Sequence, residues 1–213
     1  MTTPGMKAGR WPGRLITLDG PGGVGKSSTA TALASLLTAR GIAVTATCQP
    51  SHAALGALAR HGTDTYRGMA LACLCAADRH HQLATEILPA LRAGVSVVCD
   101  RYLPSSLVLQ GLDGIGADTI WALNCGVYRP DLAVILTADP TVLARRLRER
   151  GGHSRFERDP ANTVREARLY RDALTQVRAR GWPAHTVDAT TATPDTVATT
   201  IADHLADLEP VCR

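Results

Sequence analysis

An α/β fold built on a parallel sheet is what this 213-residue chain predicts, and three observations carry it. Short, continuous apolar runs recur along the chain. Tracts with helical spacing separate them. Between the first run and the first helix lies a glycine-rich turn, Gly20-Pro21-Gly22-Gly23-Val24-Gly25-Lys26-Ser27. Strands apolar on both faces and alternating with helices belong in a sheet covered on each side.

Leu15 to Leu18 is the first such strand. Ala30, Leu33, Ala34 and Leu37 then recur at helical spacing, and Gly41 marks the stop. Ile42 to Thr47 reads as a second strand, and a long helical tract runs from about Tyr66 to Arg92. Gly94 punctuates it before Val95 to Cys99, a continuous apolar strand ending at Asp100. Leu132 to Leu136 is the next, followed by Asp139-Pro140, a cap residue ahead of a proline at the first helical position. That helix reaches about Arg150. An Arg/Gly-rich loop follows, then a helix from about Asn162 to Arg180, a short strand His185 to Val187, and a closing helix Val197 to Leu208.

With 45% hydrophobic residues the chain can bury one core, so a single domain over residues 14–213 is expected. Residues 1–13 are rich in Gly and Pro and lack an apolar stretch, which reads as a flexible arm and not a signal peptide. No apolar run approaches the length of a membrane span. Net charge is +4, with arginines concentrated between Arg145 and Arg180. Such a cluster suits nucleic acid or the phosphates of a small ligand equally well. The cysteines at 48, 73, 75, 99, 125 and 212 form no C-x-x-C pair and read as small buried hydrophobes in a reducing cytoplasm. His80-His81 lacks further ligands at metal-binding spacing.

Gly20, Gly25, Lys26 and Ser27 satisfy the G-x-x-x-x-G-K-[ST] spacing of a phosphate-binding loop, in the strand-turn-helix context it needs. Glycines let the backbone N–H groups wrap phosphate oxygens, and the helix N-terminus adds positive potential. Gly20, Pro21, Gly22, Gly23, Val24, Gly25, Lys26, Ser27 and Ser28 form the expected cradle. Lys26 reaches the outer phosphates and the Ser27 hydroxyl meets Mg²⁺. Other candidates also fall at the carboxyl ends of strands, where open α/β sheets collect ligands: Gln49-Pro50 after the second strand and Asp100-Arg101 after the third. Asp100 is placed to hold Mg²⁺, and the Arg101 fork suits phosphate. On the long helix, Asp78, Arg79 and Gln82 interrupt the face set by Leu71, Leu74 and Cys75; this is either a solvated end or a patch facing the site. Five arginines between Arg145 and Arg155 flank Gly151-Gly152, which reads as a mobile lid over residues 146–158. Asp113-Gly114-Ile115-Gly116 fits the D-x-x-G of GTPases, but no N-K-x-D follows. No second acid stands after Asp100, as motor ATPases usually require.

The chain resembles the thymidylate kinases over about Arg14 to Leu208. The likeness rests on the phosphate loop, Ala76-Ala77-Asp78-Arg79, Cys99-Asp100-Arg101-Tyr102 with Ser105-Ser106 and Gln110-Gly111, Arg129-Pro130-Asp131, Asp139-Pro140, and a lid ending in Phe156-Glu157. The resemblance implies a P-loop NTPase fold with a five-stranded parallel sheet, ATP and Mg²⁺, a homodimer, and γ-phosphoryl transfer to a deoxynucleoside monophosphate. It places Arg79 and Arg101 on the acceptor phosphate, makes Lys26, Asp100, Arg150 and Arg155 the catalytic set, and puts Ser27 and Asp100 on the metal. Gln49, Cys75, Ser106 and Gln110 complete the acceptor site.

The departures gather on the acceptor side. The family's loop acid is replaced by Gly22, its Arg-Glu-Pro by Cys48-Gln49-Pro50, the Phe that stacks on thymine by Cys75, and a nearby Tyr by Leu109. The expectation is therefore a rebuilt acceptor pocket with poorer use of dTMP. Two alternatives go with it: a kinase of a nucleoside-like or antibiotic-like metabolite, and an inactive nucleotide-binding regulator. Nucleic acid and membrane are not expected partners. Lys26→Ala should leave a folded protein with kcat collapsed, which circular dichroism and steady-state kinetics would check.

Overall fold

The computed structural model describes residues 11–151, 154–158 and 160–207. Five strands, β1 (Leu15–Asp19), β2 (Val44–Cys48), β3 (Ser96–Asp100), β4 (Leu132–Thr137) and β5 (Ala184–Asp188), form one sheet in the order β2-β3-β1-β4-β5. All four pairings are parallel. This is the P-loop NTPase architecture, and every strand read from the sequence lies within two residues of its place.

Alternation of side chains along the strands splits the core in two. Leu15, Val97, Cys99, Ala133, Ile135 and Ala184 point to one face. There they meet helices α4 (Leu88–Arg92), α5 (Leu103–Leu112), α6 (Ala117–Leu123) and α9 (Pro160–Ala179), through Leu91, Val108, Ile120 and Tyr170 among others. Ile16, Leu18, Val98, Leu132, Val134, Leu136 and Val187 point to the other face. They pack against α1 (Lys26–Ala39), α7 (Pro140–Arg150) and α10 (Pro194–Asp207) through Leu33, Leu37, Leu143, Val197 and Ile201. Burial on both faces explains why the inner strands lack polar alternation.

The long tract is real but not one regular helix. It comprises α3 (Gly68–Gln82), a π-helical turn (Leu83–Ile87) and α4, with Pro89 just past the wide turn, where its missing N–H does no harm. The sequence reading missed α2 (Ala54–His61), α5, α6 and the single turn α8 (Arg155–Arg158). In α5 the residues Leu103 to Val108 are all buried, so no amphipathic period betrays the helix. Asp139 caps α7 as expected, accepting the Thr141 N–H at 2.8 Å.

Residues 1–10 of the expected arm, and Leu208 and Cys212, lie outside the described residues. Trp11 packs against the core with Arg92 over its ring, and the Gly13 N–H donates to the Leu91 carbonyl at 3.0 Å. Cys99 is buried and Cys48 and Cys75 are half-buried, but Cys73 and Cys125 are exposed. Those two correct the expectation of buried thiols: Cys73 sits on the outward side of α3, and Cys125 follows the end of α6. Among the described residues no helix is long and apolar enough to cross a membrane.

Leu33 has no exposed surface at the contact of α1 with the sheet. Leu33→Ala should cost about 2–5 kcal/mol of unfolding free energy, read from urea denaturation.

Candidate active site

The turn after β1 forms a cradle because its glycines let it. Gly25 has φ +98°, a left-handed conformation that sets the loop into α1 without a side-chain penalty. Lys26 folds back under the loop, donating to the carbonyls of Gly20 at 2.7 Å and Pro21 at 2.8 Å. Burial, with Arg101 nearby as a second cation, lowers its pKa to about 7. Val24 anchors the loop in the core, while Gly23, Ser27 and Ser28 line the cavity above it.

Next to β1 in the sheet, β3 delivers Asp100 and Arg101 to the same point. Ser27 Oγ donates to Asp100 Oδ2 at 2.5 Å, and Asp100 Oδ1 is buried with no partner. A hydroxyl beside an orphaned carboxylate oxygen is a donor set that fits a hard divalent cation. Arg101 has φ +72°, rare for a residue with a side chain, and is held there as its N–H donates to the Leu18 carbonyl at 2.8 Å. Asp19, fully buried at the end of β1, staples the start of α5. Its Oδ1 accepts from the Tyr102 N–H, the Ser105 N–H and the Ser105 hydroxyl. Burial nonetheless pushes its pKa up.

A cavity of about 320 Å³ opens from the loop between α2, α3 and α5. Gln49, Cys75, Arg101 and Gln110 line it, as expected, together with Leu71 and Leu109. Burial pushes the Cys75 thiol up to about 11. Ser106, Arg79 and Tyr102 line its inner recess. The Arg79 guanidinium is committed within the protein. Its Nε donates to Gln49 at 2.8 Å, one terminal nitrogen donates to Asn124, and the other donates to Ser106 at 2.8 Å and the Tyr102 carbonyl at 3.3 Å. Asp78 accepts from the Ser51 N–H at 2.6 Å and its hydroxyl at 2.5 Å, and Gln82 accepts from Gln49. The polar interruption of α3 therefore faces the site.

Arg150, Ser154, Phe156 and Glu157, from the segment expected to form a lid, line the cavity from the other side. Arg150 donates to Glu157 at 2.7 Å, and both line the cavity; Arg101 lies 4.0 Å from the same carboxylate. Arg155 turns elsewhere, to the Thr63 carbonyl at 2.6 Å and both oxygens of Asp113. Arg158 pairs with Asp64. Gly152 and His153 of the expected lid lie outside the described residues. At Gly22 a Cβ would stand 3.0 Å from Glu157 Cγ, and the Gly22 N–H donates to Glu166 of α9 at 2.9 Å. Acidic side chains from α8 and α9 thus crowd the loop where it carries none.

Glu166 and Asn124 escaped the sequence reading, as single polar residues with no spacing that ties them to the loop, while Asp113 entered it only in a D-x-x-G match and Arg146 only as part of the lid. Arg146 donates to the Ala189 and Thr190 carbonyls, and with Gly23, Thr29, Ala192 and Val197 it lines a second cavity of about 230 Å³ flanking the loop. The loop therefore sits between two cavities.

A phosphate loop flanked in this way, with a strand-end Asp-Arg and an arginine on the facing wall, defines a P-loop phosphotransferase. A family model described as thymidylate kinase matches residues 18–199. A thymidylate kinase of Rhizorhabdus wittichii is 39% identical over 211 residues, covering 93% of this chain and all of that protein. One from Methylococcus capsulatus is 37% identical over 185 residues, covering 84% and 88%. A probable thymidylate kinase of Caldivirga maquilingensis is 34% identical over 79% of this chain and 83% of its own length. The chain belongs to the thymidylate kinase family, whose members are nucleoside monophosphate kinases.

A polyphosphate bound against Lys26 favours the ammonium, so its pKa rises from about 7 on binding. Binding at pH 8 should take up a sizeable fraction of a proton, and affinity should fall as pH climbs above 7. Calorimetry with inorganic triphosphate in buffers of different ionisation enthalpy would measure both.

Proposed function

We propose that this chain transfers the γ-phosphoryl group of ATP to dTMP, giving dTDP and ADP. The observation that carries the reading is the meeting of Lys26, Ser27, Asp100 and Arg101 at one end of the 320 Å³ cavity, with the lid residue Arg150 facing them. Such an array suits in-line transfer, which needs positioning and charge neutralisation and no covalent intermediate.

Backbone N–H groups from Gly22 to Ser27 cradle the donor phosphates, and Lys26 exchanges the Gly20 and Pro21 carbonyls for phosphate oxygens. The donor base lies in the second cavity, beside the planar Arg146 guanidinium. Ser27 and Asp100 would hold Mg²⁺, which supplies charge neutralisation on the transferring group. Arg101, fixed by its backbone, holds the acceptor phosphate. Arg79, with its donors committed to Gln49, Asn124, Ser106 and Tyr102, sets the shape of the acceptor recess and leaves the phosphate to Arg101. Arg150 swings from Glu157 to the transferring group. Arg155 holds the lid down and does not itself reach the phosphates.

The relatives named for thymidylate chemistry support dTMP as acceptor. They do not favour the nucleoside-like or antibiotic-like acceptor, the inactive regulator, or weak use of dTMP. Small nucleotides, not nucleic acid, suit the lid, whose arginines 150, 155 and 158 already face carboxylates. Two copies pair through the outer side of α3 and the π-helical turn after it, where Met69, Cys73, Ala77 and Ala84 are exposed along one stripe. The free cysteines suit the reducing cytoplasm.

Coupled ADP release should show turnover with dTMP well above that with AMP, GMP or dCMP. Absence of dTMP turnover would sink the assignment. Arg150→Ala should lower kcat by about 100-fold or more while moving both KM values little.

A further inference from the structure

We infer that the acceptor base is gripped from the lid: Phe156 is the ring it lies against, and the Arg155–Asp113 ion pair holds that ring in place. This rests on the kinase reading above. A flat heteroaromatic base gains most from a flat partner, and the helix walls supply none. Where α3 and α5 face the cavity they present Leu71, Cys75 and Leu109. Among the described residues lining the 320 Å³ cavity outside its inner recess, Phe156 carries the only aromatic ring, and it is also the only Phe of the chain; the Tyr102 ring at the recess is fully buried under the Arg79 guanidinium.

Phe156 belongs to α8, on the flap, yet it is only 5% exposed. It packs with Ala59 and Leu71, in a cluster that Tyr66, Cys75 and Leu109 flank. The Arg155 guanidinium carbon sits 4.0 Å from the ring centroid. That guanidinium is itself immobilised: both Asp113 oxygens and the Thr63 carbonyl accept from it, and Asp113 also accepts the Gly68 N–H at 3.1 Å. The ring is thus backed by a clamped, planar cation and fronts the cavity.

A second group at the same wall awaits a partner. Gln110 is 3% exposed, its Oε1 is buried without a hydrogen bond, and its amide nitrogen has only the Cys75 sulfur at 3.9 Å. An orphaned carbonyl in a cavity marks the place of a ligand donor. That carbonyl belongs to the acceptor site which the family resemblance already gives Gln110, and it lines the same cavity as Phe156.

Steady-state kinetics on Phe156→Leu, Phe156→Trp and Asp113→Asn separates this from a merely structural ring. Phe156→Leu should raise the acceptor KM by about 10- to 100-fold, the worth of one stacked base, with the ATP KM within threefold. Phe156→Trp should restore the acceptor KM to within a few fold, and its fluorescence should change on adding dTMP without donor. Asp113→Asn, acting through Arg155, should raise the acceptor KM in the same direction with the ATP KM unmoved. If Phe156→Leu keeps the acceptor KM within threefold, or moves both KM values together, the inference falls. If the wild type itself turns over no nucleoside monophosphate, it is the kinase reading that fails.

Discussion

A buried ammonium at the end of a buried strand governs this molecule. Lys26 is 6% exposed, under a loop whose carbonyls it holds, beside the Arg101 guanidinium and within reach of Asp100, Glu157 and Glu166. Taking that many charges out of water costs several kcal/mol per uncompensated ion, so each must face another. The ends of β1 and β3, adjacent in the sheet, make this possible by bringing Asp19 and Asp100 to one place. Strand order, more than any local sequence, fixes who pairs with whom.

The same accounting explains the lid. Two of its arginines meet carboxylates from outside it, Asp113 for Arg155 and Asp64 for Arg158, while Arg150 pairs with Glu157 inside the same segment. These pairs differ in kind. Arg158 and Asp64 are both more than half exposed and contribute little. Arg155 and Asp113 are 18% and 7% exposed and bidentate, which gives direction as well as attraction. Arg150, partly solvated on a carboxylate it shares with Arg101, is the one best able to change partners.

On the acceptor side, departures that read as losses look different in three dimensions. Gly22 lacks an acid, but Glu157 and Glu166 come from α8 and α9 to stand against it. Cys75 lacks a ring, but Phe156 arrives from across the cavity. A pocket is a volume with walls from several elements. Substituting one wall does not empty the pocket if another wall fills the space.

Read alone, the sequence determined the strands, their parallel pairing, the phosphate loop and the place of Asp100-Arg101 at a strand end. These depend on short-range facts: apolar runs, glycine spacing, a capped helix start. Helix α5 was not legible because it is buried all round and shows no period. Which arginine does what was not legible either. Arg79, Arg150 and Arg155 are the same residue type, and only the partners set by the fold separate them: Gln49, Asn124 and Ser106 for the first, Glu157 for the second, Asp113 for the third. Those partners lie between 7 and 45 positions away in the chain. Spacing in sequence carries chemistry only within a turn or two; beyond that, the sheet order and the packing of helices against it decide it.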